Sequence, residues 1–387
     1  MIRDEKKLET FLIEVRRLVR DRLIPAEAKV AAADAVPPDI VAELGDFGFF
    51  GMSIPREYGG LGLTMEEEVA TVLELGRAAP AFRSVFGTNN GIGSQGILLD
   101  GTDDQKRRFL PALASGELIS AFCLTEAEAG SDAAAIKTTA RREGDHYVLD
   151  GVKRYVTNGS RAGLFTVLAR TDSESQGAKG ISAFLVAGDS PGLTRGGLIA
   201  KMGQQGAPLC DITLEGVEVP AENLIGGTEG QGFKMAMKVL DRQRLHISAL
   251  CVGLAERLLE EALSHAMQRE QFGKPLAEHQ LIQAMLADSK AESYAGRALV
   301  LDAARRRDNG EAVATLASCA KLYCAEMLGR VADRAVQILG SPGYTEESAV
   351  ERLFRDARVF RIYEGSSQIQ QLIIARNLVK AAKAETA

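Results

Sequence analysis

Apolar residues recur at three- and four-residue intervals through "LETFLIEVRRLVRDRLI", from Leu8, and again through "MEEEVATVLELGRA", from Met65. That spacing predicts amphipathic helices across residues 1–118. The texture then changes. "HYVLDGVKRYVTNGSRAGLFTVLART" and "GISAFLVAGD" are β-branched and aromatic runs cut by Gly, Asn and Asp, which predict an antiparallel sheet region within residues 119–226. From residue 227 to 387 only Pro275 and Pro342 interrupt long helical segments. Phe233, Met237, Leu240, Ile247, Cys251, Leu254, Leu258 and Ala262 fall near one face of a 3.6-residue period there. No repeat or low-complexity linker separates the three parts, so they are expected to form one compact subunit.

One glycine pattern invites another reading. "AFRSVFGTNNGIGSQG" carries G-x-G-x-x-G at Gly91, Gly93 and Gly96, the spacing that cradles a dinucleotide pyrophosphate. That motif needs a hydrophobic strand before its first glycine and a βαβ unit around it. Here the flanks are helical, so the pattern reads as close helix packing at small residues. The same stretch sets Arg83 between Phe82 and the apolar pair Val85–Phe86.

Composition narrows the function classes. With 46% hydrophobic and 25% charged residues the chain is an ordinary globular protein, and a net charge of −6 argues against an extended nucleic-acid footprint. The 5 cysteines lack C-x-x-C spacing, which suits reduced thiols. The 4 histidines form no H-E-x-x-H, so no metal is expected. "MIRDEKKLET" is charged from its third residue and no apolar run has membrane-spanning length, so a cytoplasmic setting is expected.

Five segments carry candidate chemistry. In "FRIYEGSSQIQQLIIARNLV", Gly365 breaks a helix and Ser367 with Gln370 reads as a capping box. Glu364 then falls at the C-terminal end of the preceding helix, where the macrodipole disfavours a carboxylate. Exposed, it would mean little; partly buried, its pKa would rise toward ~6–7, where a general base works best. The pattern leaves both open. In "AFCLTEAEAGSDAAAIKTTA", Thr125, Gly130, Ser131 and Asp132 form a turn suited to phosphate or carbonyl oxygens, or an ordinary loop. "RYVTNGS" offers an aromatic and a hydroxyl to flank a flat ring. "LDRQRLHISA" sets Asp241 and Arg244 on one helical turn, and "QREQFGKPLAEHQ" is a Gly-Pro interruption between two long helices.

Together and in this order, these segments resemble the acyl-CoA dehydrogenase family over nearly the whole chain. The resemblance implies a mainly α fold with a central β domain: an N-terminal helical domain (1–118), a middle β-barrel (119–226) and a C-terminal four-helix bundle (227–387), usually assembled as a homotetramer. It implies FAD, bound without a Rossmann fingerprint, and an acyl-CoA thioester as substrate in fatty acyl oxidation. By resemblance Glu364 removes the α-proton while the β-hydrogen leaves as hydride to the flavin. Phe122, Leu124, Thr125, Gly130 and Ser131 match flavin contacts, and Ser131 also touches CoA. Tyr155, Val156 and Thr157 match residues packed along the flavin ring. Asp241, Arg244 and Gly365 match substrate contacts, and Ser366 and Gln368 further FAD contacts. Arg269, Phe272, Gln280, Gln337 and Gly340 match contacts to the FAD of a neighbouring subunit. An electron-transferring flavoprotein is the expected acceptor.

Some relatives carry the base where Gln243 stands, and an amide cannot serve. Tyr155 replaces a commoner Trp, Ala127 a usual Pro, and Ser341–Pro342 a usual Gly-Asn. "FRSV" resembles the glutaryl-CoA branch, in which an arginine at the position of Arg83 holds a distal carboxylate. Gly87 replaces a frequent hydroxyl, which implies a deeper pocket and a dicarboxylyl-CoA of medium length. The alternative is an Arg83 paired to a protein acid such as Glu74. Competing functions are a short- or medium-chain monoacyl-CoA dehydrogenase, an acyl-CoA oxidase, and a silent acyl-CoA-binding helical scaffold.

Overall fold

Leu8, Leu12, Val15 and Leu18 share the buried face of α1 (Glu5–Leu18), as their spacing requires. The run then widens through a π-type turn at Val19–Leu23 into α2 (Ile24–Ala33). This is a computed structural model that describes residues 1–175 and 177–385. The N-terminal part continues through α3 (Pro38–Asp46), α4 (Met65–Leu75), α5 (Pro80–Thr88), α6 (Gln95–Asp100) and α7 (Asp103–Ser115). Thr64 with Glu67 and Thr102 with Gln105 form the capping boxes that start α4 and α7.

The middle part is one curled sheet of β1 (Ser120–Cys123), β2 (Thr139–Glu143), β3 (His146–Thr157), β4 (Leu164–Arg170), β5 (Ile181–Ala187), β6 (Leu193–Arg195) and β7 (Leu209–Pro220). Its order is β1-β4-β2-β3-β7-β6, with β5 on β4. It is not purely antiparallel: β1 lies parallel to β4, with Phe122 opposite Thr166. The β3–β7 ladder slips between Lys153 and Val156. That bulge re-aims Tyr155, which takes φ +56° and stands 54% exposed.

The C-terminal part comprises α8 (Gly232–Gln268), α9 (Gln280–Asp308), α10 (Ala314–Leu339), α11 (Ala349–Ala357) and α12 (Ser367–Glu385). The anticipated apolar stripe on α8 is only part of the picture. Phe233, Met237 and Leu240 are half-buried, whereas every residue from Arg242 to Ala255 is buried. The middle of α8 is enclosed because α4 packs on it from the N-terminal part and α9 and α10 from its own. Between α8 and α9 the Gly-Pro interruption is a small hairpin pairing Glu270–Gln271 with Lys274–Pro275. Phe272 sits at its tip at φ +53°.

The G-x-G-x-x-G glycines lie in a second π-type turn, Asn89–Gly93, and the start of α6, with α5 before them. A Cβ on Gly93 would stand 1.9 Å from Ser120 Oγ, and one on Gly96 2.7 Å from Met235 Sδ. These glycines serve close packing.

Candidate active site

The Glu364 loop is built differently from the sequence expectation. α11 ends at Ala357, a 3-10 turn covers Arg358–Arg361, and Glu364 and Gly365 follow at φ +57° and +87°. Glu364 therefore does not end a helix; it precedes α12, and no C-terminal dipole bears on it. The cap also moves by one residue. Ser366 Oγ accepts the Ile369 N–H at 3.3 Å, while Ser367 Oγ donates to Glu326 at 2.6 Å. Gln370, expected in a capping box, instead donates its amide to the Gly365 carbonyl at 3.0 Å.

A second donor holds the same carbonyl from behind: Lys321 Nζ, 2.6 Å away. Lys321 is fully buried on α10, and burial pushes its pKa down to about 8. A residue at position 365 must tolerate the left-handed conformation and leave room for Gln370 Nε2, which would lie 2.5 Å from a Cβ there. Glycine meets both demands.

Glu364 is half-buried, but its Oε2 is covered and has no hydrogen-bond partner. Burial raises its pKa above the usual carboxylate value, against the pull of Arg83, Lys321 and Arg244. A carboxylate kept dry and basic, yet held ionisable by three cations, has the properties of a general base.

Arg83 lies on α5, and its partner is not Glu74, which pairs with Arg16 at 3.1 Å. Arg83 Nε donates to His246 Nε2 at 2.9 Å. His246 Nδ1 in turn lies 2.7 Å from Glu68 Oε1. Glu68 is also held by Arg242 and by Asn90 Nδ2 at 3.1 Å. Arg83 Nη2 is buried with no partner.

The expectation of extra depth at Gly87 is corrected: a Cβ there would lie 2.6 Å from Arg83 Cζ, so the guanidinium itself fills the space. One turn on, a Cβ on Gly91 would lie 2.3 Å from Gln243 Oε1, another buried atom without a partner. Arg244 is buried and paired with Asp241, and its Nε is free of partners.

The other candidates fall into two groups. Phe122 and Leu124 are half-buried against the core between sheet and helices, Thr125 follows them half-buried, and Thr157 is half-buried at the end of β3. Gly130 and Ser131 are exposed. Arg154 anchors Tyr155 by stacking 5.0 Å over its ring and bonding Asp211 at 3.0 Å. Val156, however, faces the sheet's core, so only its backbone is available to a ligand. Ser366 is half-buried and Gln368 exposed.

In the second group, Arg269, Gln280, Gln337 and Gly340 are exposed in the single chain, and Phe272 is 95% exposed. Sequence reading missed Lys321, His246 and Glu68. Lys321 had a signal: it occupies the buried stripe of Ala317, Ala320, Cys324 and Leu328, where a cation is out of place. Glu68 was hidden inside an acidic run, Glu66–Glu68, that looks solvated but is buried throughout.

Three family models cover the chain: the acyl-CoA dehydrogenase N-terminal domain over residues 5–117, the middle domain over 121–217 and the C-terminal domain over 230–379. The chain belongs to the acyl-CoA dehydrogenase family. Among its relatives is the 3-(aryl)acrylate reductase of Clostridium sporogenes, 39% identical over 95% of this chain and 98% of that one. The cyclohexane-1-carbonyl-CoA dehydrogenase of Geobacter metallireducens is 38% identical over 95% and 96%. A solved glutaryl-coenzyme A dehydrogenase–glutaryl-CoA complex superposes with TM-score 0.91 at 32% identity, covering 98% of this chain and 97% of that one.

Four of the buried polar atoms without a partner in this acyl-CoA dehydrogenase, Glu364 Oε2, Arg83 Nη2, Gln243 Oε1 and Arg244 Nε, occur on α5, α8 and the Glu364 loop, which meet around the middle of α8. Among the described residues no group of His, Cys, Asp and Glu is arranged to hold a metal, and no helix is long and apolar enough to cross a membrane.

Proposed function

We propose that this acyl-CoA dehydrogenase is an FAD-dependent enzyme that α,β-dehydrogenates an acyl-CoA thioester, with Glu364 as the base. The observation that carries the reading is the dry, partnerless Oε2 of Glu364, whose pKa burial raises while Arg83, Lys321 and Arg244 keep ionisation within reach. Glu364 takes the α-proton. The thioester oxygen needs donors as the enolate develops, and the Glu364 backbone N–H is one candidate. The clamp of Lys321 and Gln370 on Gly365 fixes where that N–H and the carboxylate point.

The residues fit a flavin. The exposed Tyr155 face, the half-buried Phe122, Leu124 and Thr157, and the open turn at Gly130–Ser131 together offer an apolar bed with a polar rim. A Cβ added at Gly130 would meet nothing within 4 Å, so the backbone there is free for close approach. When bound, FAD supplies the acceptor for the β-hydrogen and its electron pair. Ser366 and Gln368, one and three residues past Gly365, would hold it on the base side. Arg269, Phe272, Gln280, Gln337 and Gly340 serve a neighbouring subunit's FAD, which implies an assembly, and an electron-transferring flavoprotein takes the electrons onward.

The substrate class follows from Arg83. A half-buried guanidinium whose covered Nη2 has no partner, and whose one side-chain hydrogen bond is to an uncharged imidazole, calls for an anion. We assign that anion to a distal carboxylate on the acyl chain, a dicarboxylyl-CoA. Glu364→Gln tests the chemistry: flavin reduction should fall by ~10²–10⁴-fold while acyl-CoA binding is kept. Activity within tenfold of the parent would place the base elsewhere.

A further inference from the structure

Arg83 is held in an unusual way. A buried arginine is ordinarily neutralised by a carboxylate, which supplies both geometry and opposite charge. Here the one side-chain hydrogen bond comes from a neutral group, and the acid that feels the charge, Glu364, makes no hydrogen bond to it. His246 Nε2 accepts from Arg83 Nε at 2.9 Å, so that nitrogen carries the lone pair. The imidazole proton is then on Nδ1, donated to Glu68 Oε1 at 2.7 Å. Burial, together with the charge of Arg83, lowers the His246 pKa, so the ring stays neutral despite the bond to Glu68. Glu68 is engaged by Arg242, which holds it ionised although burial opposes this. Its negative charge is therefore spent on Arg242, one residue removed from Arg83.

We infer that His246 is a specificity-positioning residue: it orients the Arg83 guanidinium through a neutral acceptor, leaving Nη2 unpaired by any protein carboxylate and open to the substrate's distal carboxylate. This rests on the distal-carboxylate reading of Arg83 given above. An acid in place of His246 would hold Arg83 equally well but cancel the charge that recognises the anion. An apolar residue would leave the charge but release the aim. Gly87 completes the arrangement, because any side chain there would displace the guanidinium from its seat. Arg83 and Glu364 attract each other across the site, but neither Glu364 Oε2 nor Arg83 Nη2 has a hydrogen-bond partner, so Nη2 stays open to a substrate carboxylate.

Two substitutions of His246 separate the roles of its two nitrogens. His246→Gln keeps an acceptor near the position of Nε2 but loses the donor to Glu68. His246→Asn keeps a donor near Nδ1 but presents nothing to Arg83. Both are purified with flavin content and thermal midpoint recorded, and kcat and KM are measured with glutaryl-, adipyl-, butyryl- and hexanoyl-CoA. The kcat/KM ratio of ω-carboxyl to monoacyl substrate should fall ~10–100-fold in His246→Asn, mainly through KM of the ω-carboxyl thioesters, since a hydrogen bond to a charged group is worth about that much. His246→Gln should stay within a few-fold of the parent ratio. In an Arg83→Met background His246→Asn should change the ratio no further.

If the parent prefers ω-carboxyl substrates and His246→Asn keeps that preference, the role given to His246 is wrong while the reading of Arg83 stands. The reverse order, with Gln losing selectivity and Asn keeping it, shows that His246 matters only for satisfying Glu68 and also overturns the proposal. A parent that prefers the monoacyl substrates removes the distal-carboxylate reading, and the proposal with it.

Discussion

Replacing Lys321 by methionine keeps an unbranched side chain, one atom shorter, and removes its charge. Two losses follow from the structure. The first is the 2.6 Å bond to the Gly365 carbonyl, a charged donor worth ~1.5–3 kcal/mol in general. The carbonyl is not orphaned, because Gln370 Nε2 remains at 3.0 Å. Burial already disfavours the lysine's charge, holding its pKa at about 8, so methionine also relieves a desolvation cost. The net destabilisation should be ~1–2 kcal/mol, a drop of about 1–3 °C in thermal midpoint for a chain of this length.

The second loss is electrostatic. Burial raises the pKa of Glu364, and Arg83, Lys321 and Arg244 oppose it. The base works ionised, so activity falls as pH drops through its pKa. Removing one of three cations raises that pKa, so the acid limb of kcat/KM should move to higher pH. Above about pH 8 the parent's own Lys321 loses its proton, and the two profiles should converge. The assay is flavin bleaching under anaerobic conditions across pH 5–9. A lower midpoint with an unmoved acid limb would refute the electrostatic role and leave Lys321 as scaffolding alone.

Stability should also depend on pH through Glu27, which burial pushes up to about 7 from 4.5 despite Arg257, the Ala79 N–H and Arg352. A carboxyl with a raised native pKa contributes stability fully below its unfolded pKa and loses it as pH rises through the native one, here roughly 3 kcal/mol between pH 4.5 and 7. Glu27→Gln keeps the acceptor for Ala79 and should flatten the fall in denaturation midpoint from pH 5 to pH 8; an unchanged slope refutes this. Phe272, 95% exposed at its hairpin tip, is proposed to contact a neighbouring subunit. Phe272→Ser should lower the assembled mass by light scattering, or the flavin retained per chain, without altering the far-ultraviolet circular dichroism; unchanged mass and flavin content would make the hairpin a free surface.

Periodicity determined much of this protein. Leu8 to Leu18 lie on one helix face, His146–Thr157 forms a strand, and the glycines at 91, 93 and 96 pack rather than bind, because each depends on near neighbours in the chain. The order of the motifs was also enough to indicate the family. Glu364 could be picked out by its setting in "YEG", but not its circumstances. Its raised pKa comes from burial by elements distant in sequence, not from a helix end, and its cap lies one residue earlier than the pattern implied.

Only the tertiary structure decided what surrounds Arg83. Its partner is 163 positions away on α8, and the acid behind that partner is on α4. Charge and polarity in a sequence say what a side chain offers, and local spacing says which face it takes. Whether an arginine finds a carboxylate, or a lysine lies dry behind the Glu364 loop, depends on which helices cross where, and the middle of α8 is enclosed because helices from both ends of the chain meet on it. Burial sets the cost of a charge, and burial is a property of that meeting.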